Sequence, residues 1–165
     1  MIIRDYLIPW FTPTLSRIRT LSVGGTGKME PAFEDFRRLT LFTHLEKVYN
    51  DRTWVRVDGD PSGLNVIEKL KSSYKSWNQD RFKTYKHPYF EHYYPTEFST
   101  QIEAVTNPGQ VLKKENRELK KNLLLEVKAW LDQDHKRGKE ALAESAREII
   151  DDLVQIQKTL FHRST

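Results

Sequence analysis

Cysteine is absent from all 165 residues, which excludes disulfides and thiolate zinc sites and suits a reducing compartment. Long apolar runs are absent too. No stretch approaches the roughly 18 residues that span a bilayer, and the opening MIIRDYLIPWF carries Arg4 and Asp5 where a signal peptide would be apolar. A soluble, cytoplasmic protein without membrane association is expected. Neither a fixed-period repeat nor a low-complexity linker interrupts the chain. What remains, 38% hydrophobic and 12% aromatic residues, suffices for one compact domain with a real core rather than two full domains.

The net charge of +4 is mild, so its distribution carries more information than its total. Lys69, Lys71, Lys75, Arg81, Lys83 and Lys86 stand against the single acid Asp80, with Tyr74, Trp77, Phe82 and Tyr85 interleaved. Such a stretch would follow a phosphate backbone and offer ring faces to bases. A solvated helix face followed by an ordinary strand explains the same residues.

Along the chain, IRTLSV (18–23) reads as a strand closed by the turn GGTG. PAFEDFRRLTLFTHLEKVYN (31–50) then sets Phe33, Phe36, Leu39, Phe42, Leu45 and Val48 at helical spacing behind Pro31. TWVRV (53–57) is a second strand, and LNVIEKLKSSY (64–74) a second helix with Val66, Ile67 and Leu70 on one face. RFKTYKHPYFEHYYP (81–95) reads as a third strand that Pro88 and Pro95 cut short. The alternation predicts an α/β fold, a parallel sheet with flanking helices. After TNPGQ (106–110) the pattern turns wholly helical, with Leu142, Ala146, Ile149, Leu153, Ile156 and Leu160 at helical spacing and Gly138 marking the break of a C-terminal helical hairpin. The expected organisation is an α/β core over residues 1–105 and a helical segment over 106–165.

The segment WVRVDGDPSGLNVIEKL (54–70) carries the chemistry. In a parallel sheet, ligands gather beyond the carboxyl ends of the strands, and alternation sends Asp58 and Asp60 to the same side. Two carboxylates so close resist joint ionisation unless a cation lies between them. Oxygen donors at that spacing suit Mg2+ or Mn2+, completed by water and substrate phosphate. An Asp-rich turn that caps the next helix explains these residues equally well.

VRVDGDPSG followed by LNVIEKL resembles the Asp-x-Asp segment of a TOPRIM domain, the metal-dependent fold of topoisomerases, primases and the OLD (overcoming lysogenization defect) nucleases. IRTLSVGGTGKM resembles the preceding strand and glycine-rich turn of OLD-type proteins, and HPYFEHYYP their acidic segment. The likeness covers about residues 5–98, and the helical tail is similar in style to the ends of OLD-type nucleases. It implies that Asp58 and Asp60 are metal ligands and Glu91 a third carboxylate. It also implies that Lys139, with Lys136 and Arg137 as rivals, steadies charge on the phosphate. Such modules are usually joined to an ABC-type ATPase, and many act in defence against phage.

One departure matters. TOPRIM proteins resemble one another in opening with a strand that ends in a catalytic glutamate and a glycine. Here only MIIRDYLIPWFTPTLSR precedes IRTLSV, and Glu30, Glu34 and Glu46 stand in the wrong place. The implied module lacks its first strand, so another chain or segment would supply the glutamate, or a second copy would cover the open edge. Two expectations follow: a metal-dependent DNA endonuclease or nickase active once completed, or a non-catalytic TOPRIM-like module for assembly with an ABC-type ATPase. GGTGKM fails as a P-loop, because Ser22 stands where its first glycine belongs and Met29 replaces the magnesium-binding hydroxyl. His44, His87, His92, His135 and His162 show no regular metal spacing, though His87 and His92 bracket Glu91. Ser62 suits a bond to a helix-start amide better than nucleophilic work.

Overall fold

The computed structural model describes residues 1–161; His162 lies outside the described residues. The chain divides into two compact units, one of Leu21–Tyr89 and one that joins Met1–Thr20 to the residues from Phe90 onward.

The Leu21–Tyr89 unit is built on one crossover. Strand β1 (Val55–Val57) feeds helix α4 (Pro61–Ser73), which returns the chain to strand β2 (Phe82–Thr84). The strands pair in parallel with Val55 opposite Phe82, Arg56 opposite Lys83 and Val57 opposite Thr84. Val66, Ile67 and Leu70, the apolar stripe of α4, are buried with Val55, Val57 and Phe82. Helix α2 (Met29–Phe42) adds Phe33, whose ring meets Tyr74 at 4.8 Å, Trp77 at 4.9 Å and Phe82 at 5.3 Å. The described residues are mostly helical, with a two-stranded parallel sheet in this unit.

Two sequence expectations change in this unit. IRTLSV forms no strand, and Leu21 is 78% exposed. β-branched content stabilises a strand only where a neighbour pairs it and a face is buried, and this segment has neither. The helix expected over 31–50 stops at Phe42. Thr43 turns its hydroxyl onto the Leu39 carbonyl, His44 takes a left-handed conformation with φ 57°, and a short helix α3 (Glu46–Tyr49) resumes. Leu39, Phe42, Leu45 and Val48 therefore face solvent rather than the core.

In the other unit, a π-helical turn (Ile3–Leu7) runs into α1 (Ile8–Phe11). Tyr6 ties this segment to α6 (Lys113–Gln133) by donating its hydroxyl to Asp132 at 2.9 Å, and Lys128 meets Asp5 at 3.1 Å. Helices α5 (Ser99–Thr106), α7 (His135–Ser145) and α8 (Arg147–Phe161) complete it. Among the described residues, three helices rather than a hairpin of two thus follow α5. The first break falls at Asp134, whose carboxylate accepts the Lys136 and Arg137 amides and so caps α7. Gly138 lies inside α7, where a Cβ would stand 2.9 Å from Leu131 Cδ2 and 3.2 Å from Trp10; close packing, not a break, explains that glycine. Leu142, Ala146, Ile149, Leu153 and Ile156 are buried as their spacing predicts. No helix among the described residues is long and apolar enough to cross a membrane.

Candidate metal centre and basic surface

Asp58 follows the last residue of β1, and Asp60 is the residue from which α4 starts. The turn between them is fixed by backbone. Gly59 donates its amide to the His87 carbonyl at 2.8 Å, continuing the contact begun where Tyr85 donates to Val57 at 2.9 Å. A Cβ on Gly59 would fall 2.3 Å from the Tyr85 carbonyl oxygen, and one on Gly63 would fall 1.9 Å from that of Asp58. Only glycine fits at either position. Asp60 Oδ1 accepts the Gly63 amide at 2.6 Å, and the Asp60 carbonyl accepts Leu64 at 3.0 Å. Pro61, with no amide hydrogen to leave unpaired, fills the first helical position. One Asp60 oxygen is thus committed to capping α4.

The glycine-rich turn arrives at the same place. Residues Thr26–Lys28 form a single 3-10 turn that runs into α2, and Thr26 Oγ1 lies 2.9 Å from Ser62 Oγ in the first turn of α4. Ser62 therefore binds the glycine loop instead of a helix-start amide, the capping being done by Asp60. In the sequence, the one signal that links GGTGKM to DGDPSG is that each is a glycine-broken turn directly ahead of a helix.

Glu91 belongs to the other unit, in a 3-10 turn (Phe90–Tyr93) rather than a strand. The strand expected over 81–95 is three residues long; bonding to the β1 side continues only as far as the His87 carbonyl, and Pro88 then has no amide hydrogen to extend it. Glu91 Oε2 pairs with Lys120 Nζ of α6 at 3.1 Å, with the two side chains 13% and 28% exposed. Beside it, Tyr93 donates its hydroxyl to Glu148, and Ser145 donates to the Tyr93 carbonyl at 3.1 Å. Lys139, on α7, places its ammonium 5.4 Å from the centre of the Phe11 ring. Of its rivals, Arg137 pairs with Glu97 at 3.4 Å and lies over Trp130, while Lys136 is exposed. Among the described residues, no group of three or more His, Asp or Glu side chains is placed to hold a metal ion.

The basic stretch divides by role. Arg81 is taken up by Asp51 at 3.1 Å and by the Trp54 ring at 4.9 Å, and Lys69 pairs with Glu30 at 3.0 Å. Lys71, Lys75 and Lys83 are exposed. Lys71 and Lys83 rim an open groove of about 360 Å³ whose floor includes Leu64, Ile67 and Phe82. Three of the interleaved aromatics, Trp77, Phe82 and Tyr85, are buried and offer no stacking faces, and Tyr74 is partly buried against Phe33, so nucleic-acid contact here would be chiefly electrostatic.

Against family models, curated proteins and solved structures, the chain finds no match.

Proposed function

We propose that the chain is a divalent-metal-dependent DNA nuclease module of TOPRIM type, akin to the OLD nucleases, in which a segment or chain bearing a glutamate completes the metal site. The observation that carries this reading is Asp58-Gly59-Asp60 at the carboxyl end of a parallel strand, held by two glycines that admit no side chain. That is where a βαβ unit presents ligands. The donors are hard oxygens, as Mg2+ and Mn2+ require, and two carboxylates leave room for waters and a substrate phosphate. Asp60 keeps one carboxylate oxygen beyond its cap. A bound cation would supply counter-charge to both aspartates and to the phosphate under attack.

Asp58 and Asp60 hold that position, while exposed Lys71, Lys75 and Lys83 draw in the DNA backbone. Glu91 and Lys139, which the resemblance adds to such a site, belong to the other unit, and Glu91 there is already paired with Lys120. An ABC-type ATPase is the partner proposed for the assembled system, with defence against phage as its setting. One observation favours the alternative, a non-catalytic assembly module: Asp60 and Glu91 both already have structural work, in a helix cap and an ion pair. Plasmid nicking in Mn2+ separates the two. Cleavage that appears when a strand ending in Glu-Gly is supplied, and vanishes in Asp58→Asn, supports the nuclease. No cleavage in any combination, with the added strand bound, supports assembly.

A further inference from the structure

Strand β2 has an open edge. Among the described residues the sheet holds β1 and β2 alone, and Tyr85 donates its amide to the Val57 carbonyl at 2.9 Å, which fixes the side from which this run of chain bonds to β1. In a parallel pair, successive residues turn their peptide groups to opposite sides. The Thr84 amide and carbonyl and the Phe82 carbonyl therefore point away from β1, to an edge where no strand lies among the described residues. The open groove is on that side, since Phe82, Lys83 and Thr84 line it and no residue of β1 does. Its other wall is α4, on which Leu64, Glu68 and Lys71 recur at i, i+4 and i+7 and form one stripe.

The edge and its lining select the occupant. Only a row of peptide groups at strand spacing answers the backbone of Thr84 and Phe82, and a bare edge accepts such a chain as a further strand. Side chains of an added strand alternate between the two faces of the sheet. Those on the α4 face meet Leu64, which is 52% exposed, over buried Ile67 and Phe82, and are apolar. Those on the opposite face lie beside Lys83, which alternation turns away from Phe82 and Thr84. Lys71 and Lys83 stand in the lining against Glu68 alone, both are exposed, and neither has an ion pair among the described residues. The rim thus favours negative charge.

We propose that the groove between α4 and β2 binds an extended peptide segment of alternating apolar and acidic residues, added to the sheet as its third strand. The inference does not rest on the nuclease reading, since neither Asp58 nor Asp60 takes part. Fluorescence anisotropy of a labelled peptide of alternating valine and glutamate, titrated with the full chain, tests it, with hydrogen exchange at the Thr84 amide as a second readout. Saturable binding that protects the Thr84 amide is expected. Lys71→Glu combined with Lys83→Glu should weaken binding about tenfold and leave circular dichroism unchanged, since both residues are exposed. The same peptide N-methylated at every residue keeps its charge, loses its amide donors and should not bind. No saturable binding up to millimolar peptide, equal binding of the N-methylated peptide, or an unprotected Thr84 amide would overturn the proposal. Duplex DNA that protects this amide where the peptide does not would assign the groove to a phosphate backbone and overturn it equally.

Discussion

Glu91 and Lys120 are joined by an ion pair that is mostly withdrawn from water, 3.1 Å from Oε2 to Nζ. A carboxylate so held is neutralised by its own chain and costs free energy if its partner is removed. Lys120→Ala should lower stability by about 2 kcal/mol, read from urea unfolding, by leaving Glu91 uncompensated. Adding Glu91→Gln should recover much of the loss. Equal unfolding of Lys120→Ala and the parent would contradict that account of the pair.

Asp60 is both helix cap and proposed ligand, and two substitutions separate the roles. Asp60→Ala removes the acceptor of the Gly63 amide and should cost about 1 kcal/mol of stability. Asp60→Asn keeps an acceptor and should hold stability near that of the parent while weakening metal binding. Loss of stability in both variants alike would contradict the division.

A second acid in the Leu21–Tyr89 unit sets a pH dependence. Two hydrogen bonds from Arg37, helped by the Tyr74 hydroxyl and by Arg38, hold the Glu34 carboxyl down to about 2, below its ordinary value near 4.5. A group with a depressed folded-state pKa contributes stability that is complete above the unfolded value and is lost as pH falls toward the folded one. Melting temperature should therefore fall from about pH 4.5 toward pH 2 through Glu34, and Glu34→Gln should flatten that fall. An identical acid profile in the two proteins would place the acid sensitivity elsewhere.

For the basic surface, exchanging exposed Lys71, Lys75 and Lys83 for Glu should weaken DNA binding and reduce the slope of log affinity on log salt by about 0.9 for each phosphate contact removed. Lys69→Ala should have a smaller effect, since Glu30 already holds that charge. Equal affinity and slope in the triple variant would return the stretch to a solvated helix face.

What the sequence made legible is the part fixed by local periodicity. The spacing of Val66, Ile67 and Leu70, the β-rich TWVRV and the turn DGDPSG place β1, α4 and the aspartates in order, because burial period and turn chemistry act within a few residues. Elements that need a distant partner were not legible. IRTLSV has strand composition without a strand to pair with, and Leu39 and Phe42 have helix-core spacing without a core to enter. The Thr26–Ser62 contact joins residues 36 apart in sequence, and the pairing of Glu91 with Lys120 spans 29. No window-sized pattern encodes either. The aromatics among the lysines were ambiguous for a related reason: Trp77 and Phe82 belong to a core assembled partly by Phe33, more than 40 residues upstream.

The central claim, a divalent cation held at Asp58-Gly59-Asp60, is tested most directly by calorimetric titration of Mn2+ into the full chain and into Asp58→Asn/Asp60→Asn. The paired asparagines keep the size of both side chains and an acceptor for the Gly63 amide, so the fold is retained while both charges are lost. The account predicts a saturable heat with the parent chain and only dilution heat with the variant. Equal heats from the two proteins, or none from the parent even with the glutamate-bearing strand supplied, would contradict it.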